Sequence, residues 1–326
     1  MLRVMWLGSI MWMFSSNSFI YFWQGLALNL VLFLLFVILG EGLESYVGLL
    51  LYYLVQSTAS LLFLILSQTS YVWVPILLSS LFMMKAGLAP MHNWFVSSSK
   101  MSGWQFFVPM STLQKLIPVY YCTIWYKELP ASYFWSWDKP VMVCLGLSAL
   151  ISSLAPIYTS SFMMIMVYSS IGMSVWMVLL VSSGVFYFLL FSGMYIFLIF
   201  SVKNLKMMVL SVVNLKANYL LMYKVMGVST LMILLFSVSG FPPSNIFLMK
   251  LVGVISLINN HAMMVVMLLL LSGVGYYYYY RMIMVWSIYL MLNLMPKIFN
   301  KKVKGVYDSK VSMLLLILSY FLLVLY

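Results

Sequence analysis

Residues 81–94 read LFMMKAGLAPMHNW, and 239–250 read SGFPPSNIFLMK. Each stretch lies inside a long apolar run, and each combines a lysine with glycine and proline: Lys85 with Gly87 and Pro90, Lys250 with Gly240, Pro242 and Pro243. Proline removes a backbone donor and crowds the carbonyl four residues back, which loosens or interrupts a helix. These pairs therefore predict two interrupted helices. In hydrocarbon, freed backbone groups are tolerated only where protein or water can satisfy them. A polar interior at both breaks is the direct implication.

The surrounding chain sets the solvent. Of 326 residues, 65% are hydrophobic and 7% charged, with a mean hydropathy of +1.08, whereas soluble domains are about half apolar and a quarter charged. This is the composition of an integral membrane protein. About eleven runs reach the roughly 17–25 residues that cross a bilayer: 2–22, 23–39, 46–67, 71–96, 104–126, 140–157, 161–182, 185–202, 228–258, 262–285 and 311–326. The runs are continuous rather than alternating, which excludes a β-barrel. The expectation is an all-α membrane protein forming one domain over 1–326. Its parts are a five-helix half (1–126), a second five-helix half (140–285), and a basic loop with a C-terminal helix (286–326).

The interruptions fall in the fourth and ninth spans, the fourth helix of each half. Five is odd, so the second half runs inverted relative to the first, and paired broken spans in inverted halves point to a transport path near the midplane. The basic residues agree with this count. Ten of seventeen Lys and Arg occupy two connections, Lys203 to Lys224 and Arg281 to Lys310, which share a side with Arg3 if there are eleven spans. By the positive-inside rule that side is the inner one. The net charge of +12 thus reports topology and lipid contact, not nucleic-acid binding.

Three lysines lie within spans: Lys85, Lys115 and Lys250. Each costs about 2.5–3.5 kcal/mol in a bilayer unless it faces water or a partner, and a desolvated ammonium gives up its proton more readily. Snorkelling to the interface is the bland alternative. In STLQKLIPVY, Pro118 loosens the helix at the Gln114 carbonyl, and Ser111 lies one turn before Lys115 on the same face. His92 follows the first break and can join a proton path. Gln56, Ser57 and Thr58 read as a polar cluster that holds helices together, and His261 as interfacial. Cys122 and Cys144 have no metal-ligand or redox spacing. No nucleotide, flavin, haem, iron–sulfur or metal motif occurs, so no cofactor is expected. No cleaved signal or transit peptide is visible.

The motifs KAGLAPMHNW (85–94), LQKLIP (113–118), YSSIGM (168–173), LVQSTAS (54–60) and SGFPPSNIFLMK, in this order and spacing, resemble NADH dehydrogenase subunit 2 of mitochondrial respiratory complex I. The resemblance covers about residues 20–255. It implies an antiporter-like membrane-arm subunit without cofactors, whose animal members have eleven helices, and proton-path roles for Lys85, Lys115 and Lys250. It also implies a multi-pass protein of the mitochondrial inner membrane, its N-terminus on the matrix side. Its partners would be other membrane-arm subunits and lipid, with no direct binding of NADH or quinone.

The family pattern Trp-x-Gly-Leu-Glu-x-Asn is WQGLALN here, so Ala27 stands where the resemblance implies a glutamate paired with Lys85. Met163 and Met164 stand where relatives often carry a basic pair. Proton translocation driven by redox chemistry in other subunits is the expected function. A stand-alone cation/proton antiporter and a structural subunit with a decayed path are the alternatives. The first is disfavoured because all five acids fall at span ends or in loops.

Overall fold

The computed structural model describes residues 2–299 apart from 17, 42–45, 70–73, 102, 128–130, 160, 215–220 and 243. The predicted helix at 311–326, Pro243, and the side chains of all five acidic residues and of Cys122 and His261 lie outside the described residues.

The described residues form twelve α-helices and no strand: α1 (Leu2–Ser15), α2 (Phe19–Glu41), α3 (Tyr46–Ser67), α4 (Val74–Ala86), α5 (Asn93–Met101), α6 (Trp104–Ser111), α7 (Leu113–Lys127), α8 (Ala131–Tyr158), α9 (Phe162–Ser183), α10 (Val185–Asn214), α11 (Leu221–Ser239) and α12 (Asn245–Phe299). Among the described residues, six segments are long and apolar enough to cross a membrane. Large apolar side chains cover the outside, among them Val4, Leu39, Phe186, Ile255 and Leu270. This is a multi-pass helical membrane protein.

Helix α9 is the hub. Its apolar window is 83% buried, against 22–39% for the other five long spans, and it packs on α5, α6, α7, α8, α10 and α12. A helix that is apolar all round has no polar face to present to water and settles at the centre of a bundle.

The structure moves several predicted boundaries. The first helix ends at Ser15 and the second starts at Phe19, where the sequence predicts one run to residue 22. Ser16 donates to the Met13 carbonyl, and Ser18 accepts from the Tyr21 N–H, so local hydroxyl bonds end one helix and start the next inside a run that hydropathy alone treats as continuous. The predicted single helix 104–126 is two, α6 and α7. At Thr112 the N–H and hydroxyl both go to Val108, and the Thr112 carbonyl takes the Lys115 N–H three residues on. Pro109 inside α6 removes a further rung here.

The predicted connections at 203 and 286 begin as helix, within α10 and α12. Helix α12 is 55 residues long and joins segments expected to be separate. It is no straight rod. Lys250 bonds to the Ser239 carbonyl and Tyr276 to the Gly240 carbonyl, yet 26 helical residues span about 39 Å. The chain therefore folds back between them.

The two glycine–proline stretches end helices in the same way. After α4, Gly87 N–H bonds Met84 O and Leu88 N–H bonds Met83 O; after α11, Gly240 N–H bonds Ser237 O and Phe241 N–H bonds Phe236 O. With φ of 70° at Gly87 and 79° at Gly240, both are Schellman ends, whose paired reverse bonds satisfy carbonyls the helix leaves open. Helix resumes at Asn93 and at Asn245, where Ser244 Oγ accepts the Phe247 N–H as an N-cap.

Candidate functional site

All three intramembrane lysines are buried, Lys85 and Lys250 at 6% exposure and Lys115 at 2%. They point into the bundle, not to its lipid-facing surface.

Lys85 sits in the last turn of α4. Its backbone carbonyl accepts from Gln56 Nε2 at 3.3 Å, and Trp94 Nε1 donates to the Met84 carbonyl at 2.9 Å, so side chains satisfy two carbonyls at the break. The lysine lines a cavity of about 20 Å³ with Asn29, Tyr52, Gln56, Gln114 and Pro118. That is room for about one water. Asn29 and Gln114 exchange amide bonds, Nδ2 to Oε1 at 2.7 Å and Nε2 to Oδ1 at 3.3 Å, and Ser9 also donates to Asn29. The polar lining of this cavity is neutral apart from Lys85 itself.

Helix α7 forms one wall of that cavity and carries Lys115 on its first turn. The Lys115 ammonium donates to the carbonyl and hydroxyl of Ser170 on α9, at 3.2 and 3.3 Å, and lies 4.0 Å from the centroid of the Phe95 ring. A desolvated ammonium over an aromatic face gains about 2 kcal/mol. Phe95 comes this close because Gly87 has no side chain: a Cβ there would meet the Phe95 Cβ at 2.9 Å. The first helix break thus positions the ring beneath the second lysine.

Lys250, on the second turn of α12, reaches back to the break that precedes it. Its ammonium donates to the Ser239 carbonyl at 3.2 Å and lies 5.8 Å from the Trp176 ring on α9. A Cβ at Gly240 would stand 2.9 Å from the ammonium, so this glycine provides both the left-handed turn and the space. The lysine borders a cavity of about 50 Å³ with Ser152, Ser153, Ser169, Trp176 and Ser239. Several waters fit in a polar space of that size.

The lysines therefore follow one another through the bundle: Lys85, the α7 wall, Lys115, the adjacent serines Ser170 and Ser169 of α9, then Lys250. Of the supporting residues expected from sequence, Gln114, Pro118 and Gly240 line these sites. Ser111 is not on the helix that carries Lys115. It ends α6 and donates to the Val108 carbonyl, because the helix break at Thr112 separates the two. His92 stands apart, its Nδ1 3.3 Å from the Pro90 carbonyl and in no hydrogen bond to the lysines. Pro242 is exposed.

Sequence reasoning missed Asn29, Gln56, Phe95, Ser169, Ser170 and Trp176. In sequence Gln56 reads as helix cohesion, and nothing in the spacing of Phe95 or Trp176 marks an aromatic as a cation's neighbour.

No family model matches the chain. It is 31% identical over 173 residues to NADH-ubiquinone oxidoreductase chain 2 of Artemia franciscana, covering 52% of each chain. To the same-named protein of Lumbricus terrestris it is 24% identical over 258 residues, 76% of this chain and 74% of that one. The chain resembles NADH-ubiquinone oxidoreductase chain 2. The match spans about half the length of the Artemia relative and three quarters of the Lumbricus one.

Solved structures share the fold. A chain of respiratory complex I from Thermus thermophilus superposes with a TM-score of 0.67 at 19% identity, over 85% of this chain and 68% of that one. A chain of the Mrp complex from Dietzia sp. does so with 0.69 at 14% identity, over 85% and 58%. At such identities the likeness is one of fold alone.

Proposed function

We propose that this chain is a proton-translocating, non-redox subunit in the membrane arm of an NADH:ubiquinone oxidoreductase. The observation that carries the proposal is the row of three buried lysines joined by neutral polar groups. A buried ammonium without a fixed anion can exchange its proton with hydroxyls and water, which is what a relay needs. Redox energy would arrive from neighbouring subunits, and this chain would hold no cofactor and bind neither NADH nor quinone. The names of its relatives support the complex. The matched Schellman breaks after α4 and α11 support a reading as broken membrane helices in two inverted halves, with eleven spans in all. The basic connections support an N-terminus on the matrix side of the mitochondrial inner membrane. Its partners would be the other membrane-arm subunits and lipid. His92, Ser111, Pro242 and Pro243 would support the path by loosening or hydrating the helices that carry the lysines.

Lys115→Met in the assembled complex tests this. Proton translocation coupled to NADH oxidation should be lost while assembly is retained; normal turnover and translocation in an assembled variant would overturn the proposal. That second result would favour a structural subunit with a decayed path, the reading suggested by Ala27.

A further inference from the structure

The run YYYYY at 276–280 places Tyr279 deep in the bundle beside Tyr195 of α10. Both are among the largest fully buried side chains, and both hydroxyls lack a hydrogen-bond partner. Buried hydroxyls are almost always hydrogen-bonded in folded proteins, so two without a partner need an explanation.

Their neighbours supply one. The Tyr195 hydroxyl lies near Ser170 and Ser111, and the Tyr279 hydroxyl lies near Ser169. None of these approaches is a direct hydrogen bond. Ser170 is the serine that holds the Lys115 ammonium. Tyr279 and Ser169 line the 50 Å³ cavity that Lys250 borders. The two hydroxyls thus occupy the interval between the second lysine and the third, next to a space where water fits.

We propose that Tyr195 and Tyr279 are relay residues that carry protons between Lys115 and Lys250 through bridging water; this rests on the translocation reading above. A proton leaves the Lys115 ammonium and one arrives on the neutral amine of Lys250. In between, each hydroxyl or water accepts a proton at oxygen and releases its own, so only N–H and O–H bonds form and break. The phenols stay neutral at the end of each transfer. No oxidant or further reactant is required.

The test uses Tyr195→Phe and Tyr279→Phe in the assembled complex, with Lys115→Met alongside. Phenylalanine removes the hydroxyl and keeps the ring. Coupled proton translocation should fall by about tenfold, less than the hundredfold or more of a fully positioned proton-transfer group, because water can enter the space. The solvent deuterium isotope effect on NADH oxidation should rise with the KM for NADH unchanged, which a packing defect would not produce. Unchanged translocation and isotope effect in both phenylalanine variants, with Lys115→Met inactive, would overturn the relay and leave the translocation reading standing. An active Lys115→Met would overturn the translocation reading itself. If the variants do not assemble, a high-resolution map of the native complex decides: ordered water bonded to both hydroxyls supports the relay, and dry hydroxyls overturn it.

Discussion

Phe95 turns its ring toward Lys115, with the ammonium nitrogen 4.0 Å from the ring centroid. The contact ties the start of α5 to α7: α5 begins at Asn93 with Phe95 in its first turn, and α7 presents the lysine across from it. Among the described residues, Ser170 and this ring are what lie against the charge.

Replacing the ring tests its electrostatic part. Phe95→Leu keeps most of the apolar volume but removes the negative π-face, a loss of about 2 kcal/mol for the ammonium form at a desolvated site. Coupled proton translocation should fall in Phe95→Leu and be retained in Phe95→Tyr, measured in vesicles containing the assembled complex. Equal losses in the two variants would mean that packing, not the ring's face, is what Lys115 uses.

The two break glycines give a paired prediction. An alanine at φ near +70° or +79° is strained by about 1–3 kcal/mol, and its methyl would also press on Phe95 from position 87 or on the Lys250 ammonium from position 240. Gly87→Ala and Gly240→Ala should both lower thermal stability and disable translocation. Gly193→Ala is the control, since no atom lies within 4 Å of its would-be Cβ and alanine is the better helix former. A tolerated Gly240→Ala with normal translocation would show that Lys250 does not need the break.

Much of this was readable in the chain because lipid imposes hard rules. Apolar length marks α3 and α9 almost to the residue, and Gly–Pro pairs mark the ends of α4 and α11, since hydropathy and backbone chemistry act locally. What escaped depends on other physics. The end of α1, the start of α2 and the break at Thr112 rest on hydroxyls bonding to their own backbone, which hydropathy counts as minor. Gln56 and Asn29 became part of the Lys85 site only when α2, α3, α4 and α7 packed together. Tyr195 and Tyr279 are 84 positions apart in sequence, and no periodicity could pair them.

Arg281 offers a test of architecture away from the lysines. Its guanidinium donates to the carbonyls of Ile157, Pro156 and Thr159 at 2.6, 2.9 and 2.7 Å, closing the C-terminal end of α8, where carbonyls lack helical partners and the helix dipole favours a cation. Hydrogen bonds from a charged donor contribute about 1.5–3 kcal/mol each. Arg281→Met should therefore lower the thermal midpoint of the detergent-solubilised complex. Arg281→Lys should recover only part of the loss, because an ammonium is not the planar fork that reaches three carbonyls. Full recovery by lysine would reduce the role of Arg281 to its charge.

The last prediction concerns Ala27, one residue from Leu26 and two from Asn29, both of which line the Lys85 cavity. The resemblance to chain 2 proteins implies a glutamate here, and an opposite charge nearby favours the ammonium over the amine. In this chain the cavity offers amides instead: Asn29 and Gln114 bond to each other, and Gln56 bonds to the Lys85 backbone. Amides can orient an ammonium or a water without holding its proton by charge. Ala27→Glu should place an anion at the cavity, so that Lys85 releases its proton more slowly and coupled translocation slows, with assembly intact. Ala27→Gln has nearly the same size and no charge, and should leave the rate close to that of the native chain. Matching rates for Ala27→Glu, Ala27→Gln and the native chain would show that proton transfer does not depend on the charge beside Lys85, and would leave the neutral lining of that cavity without mechanistic weight.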